Sequence, residues 1–416
     1  MTRSGPQLVV FSTLFPNQAQ PQAGLFIRER MFRVGRELPL TVVAPVPWFP
    51  LQSLLRLIRP HFRPDVPAVE VQQGVTVLHP RFLSVPGLFK GLDGLFMALG
   101  AWTTLSRLKR EGCCDIIDAH FAYPDGYAAS LLARWLKLPF TVTLRGTESR
   151  HARSASLSGK VRLALERADQ VFSVSSSLGD VAASLGIGRE RVQVVGNGVD
   201  TGKFYAVDRV RARQDLSIPA DAPVLVSVGG LTERKGFHRV IEVLPQLRAR
   251  YPGLLFLVIG GASAEGDWGP QLRRQVQEAG LESCVRFLGT ISPEALRVPL
   301  SASDVFVLAT RNEGWANVFL EAMACGLPVV ATDVGGNREV VCNDALGHIV
   351  PFGDVAALRQ VLDDALAKEW DRAAIIDHAC RNSWDDRVAA LVARFRTLGS
   401  GRPARSGDVC HPPGQS

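Results

Sequence analysis

Residues 308–333 read LATRNEGWANVFLEAMACGLPVVATD, and this stretch decides the fold. The apolar run Val305-Phe306-Val307-Leu308 leads into it with the composition of a buried strand. Arg311-Asn312-Glu313-Gly314 is a polar turn, followed by Trp315-Ala316-Asn317. Residues 318–325 favour a helix, Gly326, Leu327 and Pro328 stop it, and residues 329–331 read as the next strand. The pattern is a strand–turn–helix–strand unit of a parallel sheet. Glu313 precedes the helix and Glu321 lies one turn inside it. The backbone N–H groups between them sit at a helix N-terminus, which suits a phosphate or diphosphate. One acid before those amides and one after can grip hydroxyl-bearing groups on both sides of a diphosphate, the outline of a sugar nucleotide.

Working outward, the same alternation fills both halves of the chain. In the second half, residues 224–228, 254–259, 285–288, 305–308, 329–331 and 348–350 read as strands, with helices at 239–250 and 271–279 among them. In the first half, strands are expected at 8–12, 40–44, 115–119, 139–144, 170–174 and 192–195, with helices at 26–37, 127–136 and 160–167. Residues 45–86 are less regular. The expected fold class is α/β, with two doubly wound, Rossmann-like domains facing each other across a cleft and ligands at the C-terminal ends of the strands. The expected division is 1–205, 206–375, a C-terminal helix at 376–398 packing back on the first domain, and a disordered tail at 399–416 that is rich in Gly, Pro, Arg and Ser.

The 416 residues are 46% hydrophobic and 21% charged, enough for two or three domains with ample core. The net charge of +7 suits an anionic ligand or an anionic membrane surface. No basic run is interleaved with aromatics, so nucleic acid is not an expected partner. The seven cysteines match no zinc spacing and read as reduced thiols of a cytoplasmic protein. No apolar run reaches the ~18 residues of a spanning helix, and no leader peptide is visible before the first strand. Residues 48–64 and 88–110 combine apolar and basic positions. They read either as segments packed on their own domain or as a peripheral attachment to the inner face of the cytoplasmic membrane.

Further candidates lie just past strand ends. Gly229-Gly230-Leu231-Thr232-Glu233-Arg234-Lys235-Gly236 offers a tight turn beside two cations, which a departing diphosphate needs. It lacks the Gly-Lys-Ser/Thr ending of a Walker loop. Alone it is equally a solvated turn. Gly335-Gly336 with Glu339 is a phosphate-side or sugar-side turn, or simply a turn. His120 and the Arg145–Glu148 turn end strands of the first half, where a lone histidine is either structural or aimed at a ligand. Gly24, in the Pro- and Gln-rich first loop, either admits a ligand to the backbone or serves an ordinary turn. No nucleophile elbow, compact metal-ligand cluster or Asp-x-Asp pair is present, so no metal or other cofactor is expected.

Taken together, Glu313 and Glu321 with the following AMACGLPVVAT resemble the signature of glycosyltransferase family 4, the retaining enzymes of GT-B architecture (glycosyl transferases group 1). The resemblance covers nearly the whole chain and includes the first loop, His120, Asn197-Gly198-Val199-Asp200, Lys235-Gly236 and Gly335-Gly336. It implies that Glu313 bonds the transferred sugar and that the N–H groups of Gly314, Trp315, Ala316 and Asn317 hold diphosphate. Glu321 would bind ribose, and Lys235 with Arg234 would neutralise the leaving group beside Gly229 and Gly230. His120, Gly24 and Arg145 would lie on the acceptor side. The chain has Gly230 where many members carry Arg, which leaves Arg234 as the candidate replacement. The implied reaction is metal-independent transfer of a hexose-type sugar, with retention, from a UDP- or GDP-sugar to a glycan or lipid-linked acceptor in cell-surface or extracellular polysaccharide synthesis. A non-catalytic sugar-nucleotide binder or assembly subunit on the same fold is the alternative. A nicotinamide-dependent oxidoreductase would need a Gly-x-Gly-x-x-Gly turn after the first strand, where this chain has Pro16 to Gly24.

Overall fold

A computed structural model of the chain describes residues 5–50, 52–58, 62–87, 90–263 and 265–400. These form two compact units, one of residues up to 197 together with those from 385, the other of residues 198–384. The first unit carries an eight-stranded sheet in the order Val192–Val194, Gln170–Ser173, Phe140–Leu144, Ile116–His120, Leu8–Phe11, Leu40–Val43, Val75–Leu78, Val69–Gln72. Its neighbours are parallel except the last pair. The strand order reverses beside Leu8–Phe11, so the loops after that strand and after Ile116–His120 part at a switch point.

The second unit is built on six parallel strands in the order Val285–Gly289, Leu255–Ile259, Val224–Val228, Val305–Leu308, Val329–Thr332, Gly347–Val350. Alternate residues of each strand feed separate cores on the two faces. Val224, Val226, Phe306 and Leu308 join one, while Leu225, Val305 and Val307 join the other. Helix Asn317–Ala324 seals the first face with Phe319, Leu320 and Met323. Helix Phe237–Arg250 seals the second with Phe237, Val240, Ile241 and Leu244. The switch point lies between Val224–Val228 and Val305–Leu308.

Three features differ from the expectations. The units divide at 197/198 rather than 205/206, because Val199 and Phe204 are buried in a core of the second unit. The expected single C-terminal helix is two. Helix Arg372–Arg381 places Ile375 and Ala379 in the second unit's core, while helix Trp384–Gly399 belongs from Asp385 onward to the first unit, with the Phe395 ring 5.8 Å from Phe172. Finally, the region expected to be irregular contains the antiparallel pair Val69–Gln72 and Val75–Leu78, turning at Gln73 (φ 50°) and Gly74 (φ 79°). It also contains a small parallel pair, Val46–Trp48 with Arg81–Leu83. Of the tail expected from 399, all but the first two residues lie outside the described residues.

Candidate active site

At the switch point of the second sheet, backbones approach where no side chain intervenes. Gly236, at φ +77°, caps helix Phe237–Arg250, and a Cβ there would lie 1.9 Å from the Ala309 carbonyl oxygen. Gly335, at φ +55°, bears on the Glu313 carbonyl oxygen, which its Cβ would meet at 1.6 Å. Gly260, at φ +142°, stands against the Gly229 carbonyl oxygen, 1.8 Å from where its Cβ would fall. Only glycine combines these close approaches with a left-handed backbone. The turn Glu233–Lys235 is thereby seated on the segment after Leu308: the Arg234 carbonyl accepts from Arg311 N–H at 2.8 Å and from Thr310 Oγ at 3.2 Å.

That seating brings three of the predicted residues together. Lys235 Nζ donates to Glu313 Oε1 at 2.6 Å, and Arg234 Nη1 reaches the same oxygen at 3.2 Å and the Asn312 carbonyl at 2.8 Å. The Thr310 hydroxyl lies 3.2 Å from Oε1 too, its one proton shared between this oxygen and the Arg234 carbonyl. The other edge of the Arg234 guanidinium is paired with Glu265, Nε and Nη2 each donating at 2.8 Å. Burial works against the Arg234 charge, but Glu265 and Glu313 outweigh it and hold the guanidinium above its ordinary pKa. The Glu313 carboxylate is 10% exposed, enclosed yet reachable.

The rest of the predicted donor side lies along the same segment. Gly314 and Ala316 are buried, Trp315 is half-buried against the core, and Ala316 caps helix Asn317–Ala324 without a side-chain acceptor. Glu321 is half-buried on that helix, and its charge, after burial, helps raise the Cys325 thiol to about 12. Gly230 abuts Ser263, whose Cβ lies 3.0 Å from where a Gly230 Cβ would be.

In the first unit, His120 and Arg145 form part of a buried polar network. His120 is fully buried. Its Nδ1 accepts from Arg145 Nε at 3.1 Å and faces Nη2 at 3.0 Å, so the proton sits on Nε2, 3.3 Å from Asp118 Oδ2. Burial and the neighbouring Arg145 push its pKa down to about 4, against Asp118, so the ring is neutral. Arg145 also donates to Asn197 Oδ1 at 3.2 Å and stacks 5.3 Å from the Phe26 ring centroid. Nδ1 is committed to Arg145, whereas Nε2 is buried and makes no hydrogen bond of good geometry among the described residues. Gly24, at φ +69°, is required by the Leu14 carbonyl, which its Cβ would meet at 2.2 Å. Its demonstrable role is thus to close the first loop onto helix Leu25–Glu37.

Thr310, Glu265, Asp118 and Asp125 escape the sequence reading, whereas Glu148 lies in a turn it singles out. Thr310 and Glu265 complete the Glu313 cluster. Asp118 stands two residues before His120, a spacing that places both on one face of the strand. Asp125 accepts from Thr13 N–H at 2.5 Å and Thr13 Oγ at 3.2 Å, and burial raises its carboxyl to about 7. Glu148 accepts from the N–H groups of Ala122, Arg145 and Gly146 at 2.8–3.0 Å.

The family model described as Glycosyl transferases group 1 matches residues 208–381, and that of Glycosyltransferase Family 4 matches residues 55–203. The D-inositol 3-phosphate glycosyltransferase of Corynebacterium urealyticum is 31% identical over 355 residues, covering 79% of this chain and 82% of the relative. HepE of Anabaena, solved in complexes with UDP and with UDP-glucose, is 21% identical in the UDP complex. It has a TM-score of 0.71 over 94% of this chain and 99% of its own. The sucrose-phosphate synthase of Thermosynechococcus elongatus is also 21% identical, with a TM-score of 0.73 over 96% of this chain and 100% of its own. The chain belongs to the glycosyl transferases group 1, glycosyltransferase family 4, and is a glycosyltransferase with the GT-B fold.

Proposed function

We propose that this glycosyltransferase moves a hexose-type sugar from a UDP- or GDP-sugar to a glycan or lipid-linked acceptor, with retention, in cell-surface or extracellular polysaccharide synthesis. The observation that carries the reading is the convergence of Arg234, Lys235 and Glu313 at the switch point of the second sheet. On this reading the two cations meet the growing charge of the leaving diphosphate, without a metal. Glu313 bonds sugar hydroxyls, the N–H groups after Gly314 hold phosphate, and Glu321 holds the ribose. Glu313 is read as a positioning group rather than a nucleophile, since one carboxylate oxygen already accepts from Lys235 and Arg234 and lies within reach of Thr310. Retention would then come from attack on the face the diphosphate leaves. The acceptor oxygen bonds to the anomeric carbon, the bond to phosphate breaks, and the acceptor proton passes to the departing phosphate. The acceptor is assigned to the first unit.

A cytoplasmic protein resting on the inner membrane face would meet lipid-linked acceptors there. Leu99 is 54% exposed and Trp102 37% on helix Asp93–Arg110, beside Trp135 at 5.5 Å between rings, and the helix ends in Arg107, Lys109 and Arg110. Among the described residues no helix is long and apolar enough to cross a membrane.

The test is a panel of nucleotide sugars, read by released nucleoside diphosphate in the presence of EDTA. One donor should turn over at an undiminished rate with the chelator, and the product should keep the donor's anomeric configuration. Binding without release across the panel would favour a sugar-nucleotide binder, and inversion would refute the attack geometry.

A further inference from the structure

We infer that Glu265 is a displaceable counter-ion for Arg234, occupying in the free chain the guanidinium edge that a diphosphate takes. The inference rests on the proposed diphosphate site beside Arg234 and Lys235.

The geometry distinguishes the two carboxylates that Arg234 holds. Glu313 is 10% exposed and shared with Lys235 and Thr310. Glu265 is 52% exposed and takes both Nε and Nη2 at 2.8 Å, the paired-donor edge. A phosphate has the same two-oxygen match to that edge. The exposed partner can leave at little cost, whereas the enclosed one is held by both cations.

The loop carrying Glu265 is anchored at both ends. Leu231 N–H donates to the Gly261 carbonyl at 2.8 Å, and Trp268 N–H to the Leu231 carbonyl at 2.7 Å, so both ends of the loop are pinned to the glycine turn. Ser263 packs on Gly230, and Ser263 and Gly266 exchange backbone hydrogen bonds at 2.9 and 3.0 Å. At Gly266, which closes this turn, an added Cβ would meet nothing within 4 Å.

Charge makes displacement necessary. Arg234 and Lys235 contribute two positive charges, and Glu313 and Glu265 two negative ones. A diphosphate entering with Glu265 in place would add its anions to a cluster already neutral. With Glu265 swung out, the guanidinium edge is open and the cluster carries a net positive charge. As the nucleoside diphosphate leaves, the carboxylate returns to Arg234 and competes against rebinding. Glu265 is therefore a positioning residue that sets how long the leaving group stays.

The experiment measures binding of UDP, GDP and inorganic pyrophosphate to the full chain by calorimetry, for the parent, Glu265→Gln, Arg234→Gln and the double variant. Glu265→Gln should tighten the preferred nucleotide and pyrophosphate by about two- to fivefold, the scale of one partly exposed ion pair, and lower the product-inhibition constant by the same factor. The gain should shrink as salt rises. It should vanish in the Arg234→Gln background, which weakens binding by itself. Unchanged or weaker binding by Glu265→Gln, with the parent binding normally, overturns the inference. So does a gain that survives without Arg234. If the parent binds none of the three probes, the diphosphate site itself is wrong, an outcome distinct from both.

Discussion

Replacing Gly335 by alanine tests whether Glu313 is held from behind. The added Cβ would stand 1.6 Å from the Glu313 carbonyl oxygen, at a residue with φ +55°. The left-handed backbone alone costs a non-glycine residue about 1–2 kcal/mol. The steric term is separate. Real contacts of a Cβ do not fall below 3.0 Å, so the Glu313 backbone must retreat by about 1.4 Å, since packed surroundings give little. A misplacement of about 1 Å at a reacting centre costs on the order of a hundredfold in rate. Gly353→Ala is the control. It stands at φ +85° in the same unit, but a Cβ there meets nothing within 4 Å. Both variants should lose a few degrees of melting temperature by calorimetry. Only Gly335→Ala should also lose turnover, about a hundredfold in kcat/KM by released nucleoside diphosphate. Equal activities for the two alanine variants would refute the idea that the Gly335 contact positions Glu313.

Other consequences can be measured alongside. Glu313→Gln keeps the shape but discharges the acceptor of Lys235 and Arg234, and kcat should fall about a hundredfold with a smaller change in KM; parent-like kcat would remove Glu313 from the reaction. Phe395→Ala empties a fully buried ring site in the first unit and should destabilise by about 3–5 kcal/mol in urea unfolding, with the Phe395–Phe172 contact refuted as structural by a loss below 1 kcal/mol. Asp125 and His120 should tilt stability against pH in opposite senses. The Asp125 carboxyl, raised to about 7 by burial, destabilises as pH climbs from about 4 towards 7, so Asp125→Asn should gain on the parent over that window. His120, lowered to about 4, costs stability as pH falls from about 6.5 to 4, so His120→Gln should gain on the parent in that direction, and denaturation across pH reads both signs. Leu99→Glu with Trp102→Glu should abolish co-sedimentation with anionic vesicles at low salt, while vesicles that never bind the parent would dispose of the membrane contact.

Much of this fold is legible in the sequence. Strands such as Leu255–Ile259 and Val305–Leu308 are short apolar runs buried on both faces, and Gly236 and Gly326 mark the helix ends beside them. Glu313 and Lys235 were legible as residues at the C-terminal ends of strands. Their mutual contact was not, because it joins positions 78 residues apart through backbone approaches that a sequence records only as isolated glycines. Glu265 left no trace, lying on an aperiodic polar loop and meeting Arg234 across 31 residues. His120 was found for its place at a strand end, yet its setting is decided by Asp118, Arg145 and Asn197, which converge from three stretches of the first unit. The hairpin at Gln73-Gly74 did follow a readable alternation, Val69-Glu70-Val71 and Val75-Thr76-Val77, that its proline-rich surroundings obscured.

The three glycine approaches at the second sheet also have a genetic meaning. The seat under Arg234, Lys235 and Glu313 is formed where Gly236, Gly260 and Gly335 each touch a carbonyl of another segment, so its shape is set largely by backbone. A saturation library over this unit should therefore show Gly236, Gly260 and Gly335 among its intolerant columns. A lineage could exchange the side chains around such a seat, and with them the sugar or base it accepts, while inheriting the seat unchanged.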